Sequence, residues 1–188
     1  MKALVVYESM YGNTRHIAQA IGEGLALSME VRVVPVDDAK FLGVDDMQFV
    51  AVGAPTHAWS LSRRRTRESA AAEAAKRAEL GIKEIGVATG VREWLRGMKL
   101  QGTCRSAAFD TRLDRPKLFT GSAVGAIERG LVAAGFSIFS DSESFRVRGT
   151  TGPLAFGEID RAREWGEAIG RAITVITELE APEEAHNL

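Results

Sequence analysis

Residues 2–7 and 47–52 are strand-length runs with almost no polar residue, so a fold that extends them must cover both of their faces. Helices packed on either side of a parallel sheet do this, and the intervening sequence supplies the helices. Residues 14–28 carry Ile17, Ile21 and Leu25 at a spacing of four, one stripe of a helix. Val31–Val36 is β-branched and bounded by Pro35 and Asp37-Asp38, which predicts a second strand. The run 47–52 ends at Gly53-Ala54-Pro55. An alanine-rich helix over 66–80 follows, with Gly81 as its stop. Residues 82–90 fit a helical turn or a short extended piece. Thr89 can cap a short helix through Val91, Trp94, Leu95 and Met98. Residues 103–109 read as a strand, 122–134 as a helix, and 136–145 as β-like with a polar break at Ser140-Asp141-Ser142. A last helix spans 156–178, with Ile159, Ala162, Trp165, Ile169, Ile173 and Ile176 on one side. Residues 1–179 are read as one domain and 180–188 as a polar, frayed tail.

Strands alternating with helices, joined by right-handed crossovers, give an α/β doubly wound fold in three layers. In such a fold the ligand lies at the carboxyl ends of the strands, where the winding direction reverses. Chemistry is therefore expected in the loops after strands one, three and four.

Composition narrows what that chemistry can be. The chain has 188 residues, with 24 Lys plus Arg against 25 Asp plus Glu. The resulting net charge of −1 does not suit a nucleic-acid binder. No apolar stretch is long enough for a membrane span, and Met1-Lys2 leads straight into the first strand without a signal-peptide core. The single cysteine, Cys104, excludes an internal disulfide and a cysteine zinc cage, and a reducing cytoplasm is the expected setting. Cys104, Trp94 and Trp165 are read as core residues and His16 as surface. No His/Asp/Glu spacing suggests a metal, and neither a Ser-His-Asp arrangement nor Gly-x-Ser-x-Gly occurs.

The loop after strand one is Glu8-Ser9-Met10-Tyr11-Gly12-Asn13-Thr14, opening directly into a helix. A helix N-terminus presents unpaired N–H groups and partial positive charge. With the hydroxyls of Ser9 and Thr14, the Asn13 amide and the close backbone of Gly12, it would make a neutral cradle for one terminal phosphate. The same residues also fit a capped β–α turn. The loop lacks the Lys of a triphosphate-binding motif and the Gly-x-Gly-x-x-Gly dinucleotide fingerprint. A phospho-accepting receiver would need clustered acids here and an Asp closing strand three, where Gly53-Ala54 stands.

Ser9-Met10-Tyr11-Gly12-Asn13-Thr14 resembles the phosphate loop of the flavodoxin family, Ser/Thr-x-Thr-Gly-x-Thr, with Tyr11 at the central Thr. The Ser-Met-Tyr-Gly version is similar to that of flavodoxin-like quinone reductases. The resemblance implies a five-stranded parallel sheet in the order 2-1-3-4-5, and FMN as cofactor. It also implies that the loop opened by Pro55-Thr56 covers the isoalloxazine ring. Thr56 would then bond near the ribityl chain or phosphate, Trp59 would stack on the ring, and His57 would reach the N1/O2 edge and deliver protons. Ala58 stands where a glycine usually assists a peptide flip. Along strand four, Asp110 and Thr111 would meet the pyrimidine end, with Arg112 beside them and Phe109 as the nearest second aromatic.

Arg63-Arg64-Arg65-Thr66-Arg67 reads either as a solvated helix start or as a grip for a nicotinamide dinucleotide or an acidic redox partner. Gly149–Pro153 reads as a turn before the last helix, and a contact with a second subunit in a homo-oligomer is open there. The expected function is that of an FMN-dependent redox protein. It would transfer electrons to a partner or reduce a small acceptor such as a quinone, with NAD(P)H as donor. The alternative is a non-enzymatic binding module of the same fold that has lost FMN.

Overall fold

The computed structural model describes residues 1–57, 59–76 and 89–180. Its elements are β1 (Lys2–Tyr7), α1 (Asn13–Leu25), β2 (Glu30–Pro35), α2 (Val36–Ala39), β3 (Phe49–Pro55), α3 (Arg64–Lys76) and α4 (Val91–Gly97). The chain continues through β4 (Arg105–Leu113), α5 (Lys117–Thr120), α6 (Val124–Ala134), β5 (Ser137–Ile138), β6 (Glu143–Val147) and α7 (Glu158–Glu180). Every strand pair is parallel, in the order β2-β1-β3-β4-β5, with β6 also on β4. The doubly wound order expected from the alternation is present. Among the described residues no helix is long and apolar enough to cross a membrane.

The two-sided burial of the central strands follows from their composition. Ala3, Val5, Phe49, Ala51, Ala107 and Phe109 face a core closed by Ile17, Ile21 and Leu25 of α1 and Ala162, Ile169 and Ile173 of α7. Leu4, Val6, Val50, Val52 and Ala108 face the opposite core, closed by Trp94 and Leu95 of α4 and Ile127 and Leu131 of α6. Each fully covered Ile or Leu stabilises the fold by roughly 2 kcal/mol. Cys104 lies in the second core, where burial pushes its thiol pKa up to about 12, so it is a packing residue. Trp94 is buried, Trp165 packs edge-on against Phe109 and Phe145, and His16 is exposed.

Several expectations need correction, the first being that β3 does not stop before Gly53-Ala54-Pro55 but includes it. β4 does not end at Phe109; it runs on to Leu113, and Asp110, Thr111 and Arg112 are buried strand residues. Among the described residues the expected five strands are six, because the edge beyond β4 is filled by two segments. β5 opposes Arg105-Ser106 and β6 opposes Phe109–Leu113, so the four residues 139–142 pass only two, Ala107 and Ala108. The polar break at Ser140–Ser142 is this register step. The short helix expected near Thr89 begins instead at N-cap Gly90, whose N–H donates to Glu93 Oε2 at 3.1 Å. The stop at Gly81, residues 82–88 and the tail 181–188 lie outside the described residues.

Candidate functional site

The loops after β1, β3 and β4 meet at a cleft of about 280 Å³ on the carboxyl edge of the sheet. Met10, Tyr11, Asn13 and Thr14 line it from the first loop, and Pro55, Thr56, His57 and Trp59 from the second. Thr111, Arg112 and Leu113 line it from β4, Phe119 and Thr120 from α5, and Val147 and Thr150 from the end of β6. Ligand sites are characteristically this mixture of apolar wall and a few placed polar groups.

In the first loop, Ser9 Oγ accepts the N–H groups of Gly12 at 3.1 Å and Arg15 at 3.4 Å, folding the loop onto the start of α1. Gly12 has φ 84°, a left-handed conformation natural to glycine. The first turn of α1 holds no acid, so its positive end is not compensated from within the helix. Asn13 Nδ2 donates to the Thr151 carbonyl at 3.1 Å, tying this loop to the turn before α7. The Thr14 and Thr111 hydroxyls share a buried hydrogen bond of 2.8 Å, which joins α1 to β4 beneath the cleft.

In the second loop, His57 and Ser60 exchange backbone hydrogen bonds of 2.8 and 3.1 Å, closing a tight turn. Trp59 lies on that turn with φ 74°, costly for a bulky side chain, and its indole is 61% exposed at the cleft. Its backbone lies against Gly121, where a Cβ would stand 2.4 Å from Trp59 Cα. Ser122 N–H donates to the Trp59 carbonyl at 3.3 Å. The structure therefore presents a large flat apolar face to solvent and holds it from two sides. Ala58 lies outside the described residues.

Four residues expected to meet a ligand do not line the cleft: Ser9 and Gly12 of the first loop, and Phe109 and Asp110 of β4. Phe109 is fully buried and stacks edge-on with Phe145 and Trp165, so it is a core aromatic. Asp110 is also fully buried. Its Oδ2 accepts from the hydroxyls of Thr56 at 2.8 Å and Ser122 at 2.7 Å, and from the Ala123 N–H at 2.7 Å. It thus anchors the β3 loop and the N-terminus of α6 from inside. The Thr56 hydroxyl is correspondingly turned to Asp110, although Thr56 lines the cleft. Strand alternation puts Thr111 on the α1 face of the sheet and Asp110 and Arg112 on the α6 face.

Behind the β3 loop is a polar cluster with a weaker trace in the sequence. Glu8 is 3% exposed; one carboxylate oxygen accepts from the Ser62 hydroxyl and the other from Val91 N–H at 3.0 Å. Arg67 is 1% exposed, donating to Ser62 Oγ at 2.9 Å and pairing with Glu93 at 3.2 Å. Arg92 donates to the carbonyls of Leu61 at 2.9 Å and Ser62 at 3.2 Å. Burial raises the Glu8 pKa, opposed by its bonds to Ser62 and Val91 and by the Arg67 charge. Arg67 is therefore no part of a surface patch, whereas Arg63, Arg64 and Arg65 are exposed. The signals were an acid directly after β1 and an arginine three residues into an otherwise exposed helix start.

The flavodoxin family model matches residues 5–94, which include the first two loops. Over nearly the whole chain, solved flavodoxins superpose on the fold. The fold is flavodoxin-like. A flavodoxin from the domain Archaea has 19% identity and a TM-score of 0.60, covering 93% of this chain and 99% of its own. Oxidised flavodoxin 2 from Bacillus cereus has 21% identity and a TM-score of 0.60, covering 94% and 99%. A flavodoxin, WrbA-like protein from Agrobacterium tumefaciens has 15% identity and a TM-score of 0.54, covering 93% and 98%. No curated protein matches this chain in sequence.

Proposed function

We propose that the cleft binds FMN and that the protein is a flavin-dependent redox protein reducing a small acceptor. The observation that carries this reading is the pairing of a helix N-terminus whose first turn holds no acid with an exposed indole on one cleft. These are what a phosphate ester on a flat aromatic body needs. The residues fit the group: the cradle at Ser9–Thr14 has no acid to repel a dianion, and Gly12 allows close backbone approach. Met10, Tyr11, Asn13 and Thr14 would hold the phosphate end, and Pro55, Thr56, His57 and Trp59 the ring. Thr111 and Arg112 would border the ring on the β4 side. When bound, the flavin supplies the hydride and electron transfer.

The chain's own part is binding, orientation and proton supply. Trp59 would cover one side of the ring, and the imidazole of His57, which also lines the cleft, would supply the proton. NADH or NADPH is the proposed electron donor. The Agrobacterium structure described as WrbA-like and another described as a flavone reductase, with a TM-score of 0.56, are in keeping with a reductase.

The rival reading, a binding module without cofactor, draws on the Thr14 and Thr56 hydroxyls being engaged by Thr111 and Asp110. Equilibrium dialysis of the purified apoprotein against FMN separates the two. Saturable binding of one FMN per chain is expected. Protein that retains no FMN at micromolar concentration would leave the binding module. Anaerobic addition of NADPH to the loaded protein should then bleach the flavin, and persistent colour would remove the nicotinamide donor.

A further inference from the structure

Arg112 lines the cleft and is 6% exposed. Its hydrogen-bond partners are both neutral: Nη1 donates to the Arg115 carbonyl at 2.8 Å and to Thr120 Oγ1 at 3.1 Å. Its Nε is buried without a hydrogen-bond partner. A second guanidinium, Arg146, reaches the same Arg115 carbonyl at 3.4 Å. Among the described residues no carboxylate forms an ion pair with either. The nearest acids, Asp110 and Asp114, act on Arg112 only at longer range, and Asp110 spends Oδ2 on Thr56, Ser122 and Ala123. Burial, and then the Arg146 charge, push the Arg112 pKa below its ordinary value.

Two crowded cations around one carbonyl are costly to the fold unless something compensates them. The phosphate cradle cannot be that use, because Arg112 stands on the α6 face of the sheet and the cradle belongs to α1 on the other. The same cleft offers apolar surface from Leu113, Phe119 and Val147, and Phe119 is 66% exposed.

We propose that Arg112 and Arg146 form a second anion subsite of the cleft, which takes a small molecule with an anionic head, carboxylate or phosphate, on an apolar body. The apolar body lies along Phe119 and Leu113, and the head takes the free guanidinium donors. This names the class of second ligand the cleft takes and rests on the cleft being a flavin site, beside which that ligand would bind.

Calorimetric titration of the protein with benzoate, phenyl phosphate and the neutral benzamide tests the assignment, with and without saturating FMN. Benzoate or phenyl phosphate should bind at least about tenfold tighter than benzamide, and the tighter of the two identifies the head group. Arg112→Gln should bring the anion and benzamide within about twofold. Arg146→Gln, at the more exposed member, should reduce the preference about threefold and keeps the test open if the first variant fails to fold. Benzamide binding as tightly as both anions in the wild type would overturn the proposal. So would an Arg112→Gln protein that folds and retains the preference, or loss of anion binding once FMN is saturating. If FMN does not bind but the preference for anions stands, the flavin reading falls and the anion subsite remains.

Discussion

Arg67 and Arg112 are both buried arginines attached to the loops that form the cleft, and they are treated oppositely. Arg67 meets the Ser62 hydroxyl and the Glu93 carboxylate, and Glu8 shares that Ser62 contact. Arg112 meets a carbonyl and a hydroxyl, keeps an unpartnered Nε, and has another arginine as its neighbour. A satisfied buried charge holds elements in register, here β1, the β3 loop and α4. An unsatisfied one weakens the fold unless something else completes its surroundings.

The largest expected effect separates these two residues. Arg67→Met strands Glu8 and Glu93 and should lose about 3–5 kcal/mol of stability in urea denaturation. Arg112→Met should cost no more than about 1 kcal/mol or should stabilise, because it removes an uncompensated charge. Equal losses would erase the distinction.

Next in size are two backbone positions at the cleft. Gly12→Ala puts a side chain at φ 84° and should destabilise the apoprotein by about 1–2 kcal/mol, with weaker FMN binding. At Trp59, φ 74° makes glycine the unstrained residue. Trp59→Gly should therefore be about 1 kcal/mol more stable than Trp59→Ala. Both variants should bind FMN more weakly by about 1 kcal/mol or more, roughly fivefold. Wild-type affinity in both would remove the indole from the site.

The smallest effect concerns Glu8. Its pKa is raised in the fold above the ordinary 4.5, so the folded chain holds the proton more tightly than the unfolded one. That contribution is fully present below about pH 4.5 and is lost as pH rises through the folded value. Glu8→Gln cannot titrate. Its melting temperature relative to wild type should improve as pH rises from about 4.5 towards neutrality. A difference independent of pH would place Glu8 in a more polar setting than the cluster provides.

The fold was legible where local sequence decides the structure. The apolar run of β1, the stripe of α1 and the first loop depend on near neighbours, and each lies where expected; β3 instead starts at Phe49 and runs through the Gly53-Ala54-Pro55 expected to end it. The end of β4 was not legible. Asp110-Thr111-Arg112 is a turn-like triplet by composition, and it becomes strand only because Thr14, Thr56 and the start of α6 arrive from elsewhere to satisfy it. Arg67 was misread for the same reason, since a run of arginines looks solvated until Glu93 and Ser62 are placed beside one of them. The split edge strand showed itself as a polar break, but its two-residue register step is a property of pairing with β4 and has no local signal.

The most direct test compares FMN with riboflavin, which has the same ring and lacks the phosphate, by calorimetric titration of the apoprotein. If the Ser9–Thr14 cradle holds a phosphate and Trp59 the ring, FMN binds one per chain and riboflavin binds at least about tenfold more weakly. Equal affinity for the two, or no heat with either, would contradict the account.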